Sequence, residues 1–444
     1  MELNELYGRL LLDTEVPADL KKELIKNSRP ALIQHENYIE CQRCLSKTLK
    51  NKARLPNGAY YCPKCILLGR VASNNKLYHL PEKNLFSSLE CSPLVWQGKL
   101  SLFQQQCSDQ LRKAVDRSGE YLMWAVTGAG KTEMLFPTLE KVLLQRKRVC
   151  LASPRVDVCN ELYPRICTAF TAIDPVLLHG HSKKSYHYSQ LTICTTHQLL
   201  RFLGAFDLLI IDEVDAFPFT NNEMLKQAAR RALKPNGTLI FLTATPTQEL
   251  LGKIERHQLA ASYLPLRFHR HLLPVPQVWF CGRWQDKMYC QKLPVKLKSE
   301  LNRWIDEGFP FLVFVSRLEL LAPVLRALEA NLPAKAKGDS VFSADPKRIN
   351  KVQEMRDHKL NYLVTTTILE RGVTFPSLNV MVLGADEKTF STTALVQIAG
   401  RAGRSQKRPN GDVIFVCTDQ VKNVRKAVKQ IRELNKKGKR LLNG

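Results

Sequence analysis

The chain has 444 residues, enough for two or three domains with ordinary buried cores. Its hydrophobic fraction of 44% fits a globular protein, and no apolar run approaches the roughly 18 residues of a membrane-spanning helix. Lysine and arginine number 66 against 41 acids, a net charge of +25 that favours a polyanion, nucleic acid ahead of anionic lipid.

The first residues, MELNELYGRLLLDTEVP, carry early acids and lack a basic stretch followed by an apolar core. No secretory signal is expected, and the chain is read as cytoplasmic. Four cysteines then stand apart from the rest. Cys41 and Cys44 form one C-x-x-C, and Cys62 and Cys65 form another 17 residues later. This is zinc-ribbon spacing. Two thiolates per tight turn can place four sulfurs tetrahedrally around one ion, and thiolates select zinc over harder cations. Asn57-Gly58 supplies a hairpin turn before the second pair. Two disulfides or an iron–sulfur cluster are the competing readings. With four protein ligands, the zinc would be structural. The other nine cysteines (Cys91, Cys107, Cys150, Cys159, Cys167, Cys194, Cys281, Cys290 and Cys417) read as small buried hydrophobes in a reducing compartment.

Between Ser73 and Pro93 no apolar period is maintained, which marks a boundary. Beyond it, apolar runs predict strands at 122–126, 148–152, 208–211 and 238–242, separated by helix-length segments. A second series follows the proline-marked Leu273-Pro-Val-Pro276, at 311–315, 362–365, 380–383 and 413–416. Such runs predict parallel sheets covered on both faces. The expected organisation is an N-terminal zinc region over 1–75, a linker over 76–98, an α/β domain over 99–270 and a second over 271–444. The last 24 residues, Val421 to Gly444, hold nine basic residues and one acid, Glu433. Val424, Val428, Ile431 and Leu434 predict a helix with one buried stripe there.

The clearest chemistry lies at Ala125-Val-Thr-Gly-Ala-Gly-Lys-Thr132, where a predicted strand gives way to a helix. Gly128 and Gly130 let the backbone amides of Thr127 to Gly130, Ala129 included, turn toward a phosphate beside the helix dipole. Lys131 can reach the β- and γ-phosphates of ATP, and Thr132 can hold magnesium. Asp212 and Glu213 end the run Asp207–Ile211, so both carboxylates are expected at the carboxyl edge of the sheet, Asp212 for magnesium and Glu213 for the attacking water. In Gln397-Ile-Ala-Gly-Arg401-Ala-Gly-Arg404 two arginines three apart share one face of a helical turn. They suit the charge on a transferring phosphoryl group, and Gln397 suits the water; the nucleotide would then be shared between the two domains.

From Leu100 onward this ordered set resembles superfamily 2 helicases. The phosphate loop resembles motif I, Ser153-Pro-Arg155 motif Ia, Thr195-Thr-His-Gln198 motif Ib, Asp212-Glu-Val-Asp215 motif II and Thr243-Ala-Thr-Pro246 motif III. Phe314-Val-Ser-Arg317 resembles motif IV, Thr366-Thr367 with Glu370–Pro376 motif V, and the two-arginine segment motif VI. The resemblance implies an α/β fold of two RecA-like parallel-sheet domains in tandem, preceded by the four-cysteine module. It implies ATP, Mg2+ and Zn2+ as cofactors, with Gln104 as an adenine contact and Gly372 at the nucleotide. It further implies strand contacts at Pro154, Arg155, Thr195, Thr196, Ser316, Arg317, Thr366 and Thr367. Thr374 stands where many related helicases have Asp.

The Ala-Gly-Arg-Ala-Gly-Arg run and the Phe-Pro of motif V are similar to PriA, the replication-restart family, which carries more cysteines and places them inside the motor. Four cysteines ahead of the motor, Trp96-Gln-Gly-Lys-Leu-Ser101 and Asp212-Glu-Val-Asp-Ala-Phe-Pro218 resemble instead the ComFA family of bacterial natural transformation. That resemblance implies a single-stranded-DNA-dependent ATPase and translocase that assists uptake of transforming DNA, at the inner face of the membrane. Implied partners are a ComFC-type phosphoribosyltransferase-like protein and the membrane DNA-import channel. Another DNA or RNA helicase role, or a non-enzymatic zinc-containing scaffold, are the alternatives.

Overall fold

In the computed structural model, which describes residues 1–180, 185–406, 408–419 and 422–443, the N-terminal region is built from antiparallel strands. Strands β1 (Leu10–Leu12) and β2 (Ser28–Pro30) both pair with β6 (Lys76–His79), flanking it. A second sheet joins β3 (Leu32–Gln34), β4 (Tyr38–Cys41) and β5 (Lys47–Leu49). Helix α1 (Ala18–Glu23) spans only 6 residues. The Asn57-Gly58 turn forms as the residue pattern predicts: Gly58 takes φ +82°, and Leu55 N–H donates to the Ala59 carbonyl at 2.7 Å.

The stretch expected to be a linker is not an empty tether. It holds β6, and beyond it Glu82 pairs with Arg148, both side chains 0% exposed. The Arg148 guanidinium also donates to the carbonyls of Tyr7 (3.0 Å) and Ser189 (3.1 Å) and to the Tyr186 hydroxyl (2.6 Å). Buried charge is stable only when paired and hydrogen-bonded in this way. The N-terminal residues Leu10, Ala31, Ile39, Val71 and Leu77 share one core with Leu209, Ile211, Leu225 and Leu239. The chain divides into two units, 1–124 with 131–263 and 125–130 with 264–444, so the cysteine region and the first α/β domain belong to one unit.

After helix α2 (Leu102–Arg117), whose Ser101 cap and Gln104 form a capping box, the first unit builds a seven-stranded sheet. Its strands are β7 (Gly119–Ala125), β8 (Val149–Ser153), β9 (Val176–Leu178), β10 (Leu191–Thr195), β11 (Phe206–Asp212), β12 (Leu233–Thr243) and β13 (Ala260–Leu264), in the order β13-β7-β12-β11-β8-β10-β9. From β7 to β9 every pairing is parallel, with Leu209 beside Cys150 and Leu239 and Thr243 beside Trp124. Helices α3 (Lys131–Leu144), α4 (Val156–Ala169), α5 (Glu223–Ala232) and α6 (Gln248–Glu255) belong to the same unit. Asn222 and Thr247 cap the last two with side-chain oxygens, satisfying first-turn amides.

The second unit has six parallel strands, β14 (Gln277–Phe280), β15 (Phe311–Phe314), β16 (Gly338–Val341), β17 (Tyr362–Thr365), β18 (Asn379–Leu383) and β19 (Val413–Cys417), ordered β14-β19-β18-β15-β17-β16. Its helices are α7 (Trp284–Tyr289), α8 (Val295–Asp306), α9 (Leu321–Asn331), α10 (Arg348–Arg356), α11 (Thr392–Ala399) and α12 (Lys422–Asn443). On α12 three of the four expected stripe residues are buried, Val424, Ile431 and Leu434 at most 4% exposed, while Val428 is half-exposed. Ala427 and Asn435 join it, and Asn435 clasps both backbone groups of Leu273 at 2.9 and 2.8 Å. Val421 and Gly444 lie outside the described residues.

All eight predicted strands form, within one or two residues of the expected bounds for most of them. The expectation that all nine scattered cysteines are buried needs correction. Cys91 and Cys290 are exposed and Cys167 and Cys281 half-exposed, because they sit in a loop, at a helix end, on a helix flank and past a strand end rather than within strands. No described helix is long and apolar enough to cross a membrane.

Candidate active site and metal centre

The parallel register sends Ser153, Thr195, Asp212 and Thr243 to one carboxyl edge of the first sheet. Asp212 is the last residue of β11, and its Oδ1 accepts the Glu213 amide at 2.9 Å. Glu213 takes φ +57°, a sharp exit that holds both half-exposed carboxyl groups at the strand end. Lys131 opens α3 and Thr132, 7% exposed, follows it in the first turn.

Two carboxylate oxygens of Asp215 take the hydroxyl hydrogens of Thr243 and Thr245, each at 2.7 Å, and Thr245 N–H donates to Thr243 Oγ1 at 2.9 Å. The residues after β11 and those after β12 are thus fastened together by charge-assisted hydrogen bonds. Sequence reasoning found both segments but not this connection. Its one signal was the hydroxyl pair of Thr-Ala-Thr.

The phosphate loop, 125–130, groups with the second unit because Val126 N–H donates to Leu264 O (3.1 Å) and Phe268 N–H to Gly128 O (2.9 Å). Gly128 and Gly130 have φ +81° and +75°, backbone that side chains other than glycine rarely adopt, which is why the loop requires them. Ala129 is buried, and the Thr127 hydroxyl donates to Gln397 Oε1 at 3.1 Å. Gln397 lies on α11, 5% exposed.

Arg401 and Arg404 follow that helix in different settings. Arg401 is 1% exposed, and its guanidinium donates to the carbonyls of Leu369 (2.9 Å) and Val373, gripping the loop that carries Gly372. Arg404 is half-exposed; it donates to Gly400 O at 3.1 Å and reaches the Thr374 hydroxyl at 3.4 Å. Sequence reasoning missed Arg267, which is 2% exposed and donates to Gly403 O at 2.6 Å and Pro409 O at 3.4 Å. Burial, aided by the charge of Arg404, pulls its pKa down to about 9. Nothing in the spacing of Leu266-Arg-Phe268 distinguishes it from an exposed basic residue.

The remaining expected contacts divide by exposure. Gln104 is 6% exposed, and its side-chain carbonyl accepts the Ser101 amide at 2.9 Å in the capping box. Arg155 is half-exposed beside buried Pro154. Thr195 is 6% exposed and Thr196 0%, so the Thr196 hydroxyl stands inside the domain and not on a surface a strand could meet. In the second unit Ser316 Oγ donates to Glu387 Oε2 at 2.6 Å while Arg317, 54% exposed, lies 3.7 Å from the same carboxylate. Arg317 faces an open cavity of about 710 Å³ that Arg283 and Lys388 also line. Thr366 and Thr367 are half-exposed at the end of β17.

The four ribbon cysteines converge. Their sulfurs all lie within 4.8 Å of one another and are buried, with Cys41–Cys65 at 3.8 Å and Cys44–Cys62 at 3.5 Å. A tetrahedral ion with Zn–S bonds of about 2.3 Å sets its sulfurs about 3.8 Å apart, so the cluster can hold zinc. None of the four forms a disulfide. Arg43, 1% exposed, donates to the carbonyls of Cys65 (3.1 Å), Leu68 (3.2 Å) and Gly69 (2.5 Å), stiffening the second knuckle beside the four sulfurs.

Comparison with known proteins adds to this geometry. Residues 3–79 match the family described as competence protein ComFA N-terminal domain, 102–252 the DEAD/DEAH box helicase family, and 295–406 the helicase conserved C-terminal domain. The chain is 41% identical over 440 residues to the competence protein ComFA of Streptococcus pneumoniae, covering 98% of this chain and 99% of that one. It is 43% identical over 375 residues to ComFA of Bacillus subtilis, covering 84% and 80%. Among solved structures, S. cerevisiae Dbp5 bound to RNA and ADP BeF3 matches with TM-score 0.58 at 16% identity, over 76% of this chain and 88% of that one. Mss116p bound to ssRNA and AMP-PNP matches with TM-score 0.61 at 16% identity, over 75% and 72%. These structural likenesses show the fold, two RecA-like parallel-sheet domains.

Proposed function

The chain belongs to the ComFA family, a competence-associated group of superfamily 2 helicase-type ATPases, and on that premise we propose that it is a single-stranded-DNA-dependent translocase that assists uptake of transforming DNA. The observation that carries the reading is the fastening of Asp215 to Thr243 and Thr245 behind Asp212 and Glu213. A segment beside the hydrolytic carboxylates is tied to a neighbouring segment of the same sheet edge, so a change at the nucleotide has a physical route into the strand-facing loops.

Within this reading Lys131 holds the β- and γ-phosphates, and Thr132 and Asp212 hold magnesium. Glu213 and Gln397 orient the attacking water. Arg404 meets the charge that develops as the γ-phosphate leaves, and Arg401, gripping the Gly372 loop, supports it. Gln104, Thr127, Gly128, Ala129 and Gly130 complete the nucleotide contacts. The strand runs past Pro154, Arg155, Thr195, Ser316, Arg317, Thr366 and Thr367. Cys41, Cys44, Cys62 and Cys65 bind one structural zinc. The protein acts at the cytoplasmic face of the membrane with a ComFC-type phosphoribosyltransferase-like protein and the DNA-import channel. The basic excess of +25 supports a polyanionic track.

The test compares displacement of streptavidin from end-biotinylated single-stranded DNA with unwinding of a long tailed duplex under the same ATP. Displacement with little unwinding is the expected result. Processive unwinding would make the protein a helicase in the strict sense, and failure at both would remove translocation from the proposal.

A further inference from the structure

Strand β14 is one of the two edges of the second sheet and, among the described residues, pairs on one side only, with β19. Proteins ordinarily guard such an edge with lysine, proline or a covering element. Here the strand reads Gln277-Val-Trp-Phe280, with no charge and no proline, and Phe280 at its end is 56% exposed. Alternation along the strand puts Val278 and Phe280 on one face and Trp279 on the other. Trp279 is occupied, with the Lys296 ammonium 4.0 Å from its ring centre.

The face bearing Val278 and Phe280 is not filled. Together with Cys417, Val424 and Val428 it floors a groove of about 340 Å³ between β14 and α12. One wall of that groove is basic. Arg425, Lys429 and Arg432 recur at four- and three-residue intervals along α12, with Asp419 the single acid lining the cavity. Lys429 lies 3.9 Å from Glu433, while Arg425 and Arg432 have no carboxylate partner among the described residues. An apolar floor offers nothing to a phosphate backbone, and a basic rim offers nothing to a neutral apolar segment. The two features together select a chain that alternates apolar and acidic side chains.

We propose that this groove docks an extended acidic segment of a partner protein, which joins the sheet as a seventh strand on β14. The open N–H and C=O groups of β14 supply main-chain hydrogen bonds. Every second side chain of the guest packs on Val278 and Phe280, and its carboxylates meet Arg425, Lys429 and Arg432. This mode of recognition divides the work, with affinity from the backbone and specificity from the alternating pockets. None of the groove's residues is among the nucleotide and strand contacts proposed above, so it can fail independently of them.

The experiment measures fluorescence anisotropy of short labelled peptides with full-length protein. The probes are a Glu/Asp–Val/Ile alternating peptide, a scramble of the same composition, and a form with Lys in place of each acid. Wild type is expected to bind the alternating acidic peptide at least tenfold tighter than either control. Phe280→Ser should weaken it at least tenfold while DNA-stimulated ATP hydrolysis is retained. Charge reversal at Arg425→Glu with Lys429→Glu should transfer the preference to the lysine peptide. Failure of wild type to bind the acidic peptide below about 1 mM overturns the proposal. So does loss of oligo(dT) binding in the charge-reversed protein with peptide binding unchanged, which would make the face a nucleic-acid surface. A mass by light scattering that falls in Phe280→Ser without any peptide binding would assign the groove to a second copy of the chain, and overturns it equally.

Discussion

Thr245 donates its hydroxyl hydrogen to Asp215 at 2.7 Å, across 30 residues of sequence, while the other oxygen of the same carboxylate takes Thr243. Thr245→Val removes a bond to a charged acceptor, worth about 1.5–3 kcal/mol, without changing side-chain volume much. ATP affinity should stay within about twofold and DNA-stimulated turnover should fall by about tenfold or more, the size of a lost 1.4 kcal/mol or greater. Steady-state phosphate release with and without oligo(dT) reads both. Equal loss of basal and stimulated rates would mean the bond only supports the fold.

Lys131→Ala should abolish hydrolysis, since it removes the mobile cation from the phosphate loop. Glu213→Gln should bind ATP and stop turning it over, because the amide keeps the shape but cannot orient water as a carboxylate does. Binding of a fluorescent ATP analogue separates the two. A Glu213→Gln protein that binds no nucleotide would place Glu213 in the fold and not in the chemistry.

Purified protein should carry about one zinc per chain by elemental analysis, and Cys62→Ser should lose it. The cysteine region shares its core with the first sheet, Cys62 and Cys65 included. Metal loss should therefore lower the melting temperature of the whole first unit, and a detached N-terminal bead alone melting would contradict this. Wild type devoid of zinc would remove the metal from the site.

Acid should loosen the corner around Gly403. His269 Nε2–H donates to the Gly403 carbonyl at 3.2 Å while its Nδ1 accepts the His271 amide at 3.2 Å, an arrangement only the neutral ring can satisfy. Burial first, then the charge of Arg267, pushes its pKa down to about 4. The unfolded ring, near 6.5, binds the proton more readily, so this contribution is complete above pH 6.5 and is lost as pH falls toward 4. Burial also lowers His79 and His197, which add in the same direction. Amide protection over 398–406, with the intrinsic slowing of exchange in acid divided out, should fall between pH 7.5 and 5, and His269→Gln should remove most of that fall. An unchanged fall in the variant would acquit His269.

What the sequence determined by itself was everything local. Gly128 and Gly130 are readable because a phosphate loop needs positive φ at those two positions, and the strands are readable because fully buried parallel strands are continuous apolar runs. Two C-x-x-C turns carry their metal geometry within a few residues each. The tertiary structure decided which polar groups face inward. Arg148 sits at the start of an apolar run and gave no signal, yet it is wholly buried against Glu82, 66 residues earlier, and it holds the cysteine region to the first sheet. Arg401 and Arg404 look equivalent three residues apart, but one is turned onto the carbonyls of Leu369 and Val373 and the other is half-exposed. Thr196 and Arg155 were read alike as strand contacts, and only burial separates them. In each case a charge or hydroxyl takes its meaning from desolvation and from partners distant in sequence, and neither is written in the residue's own neighbourhood.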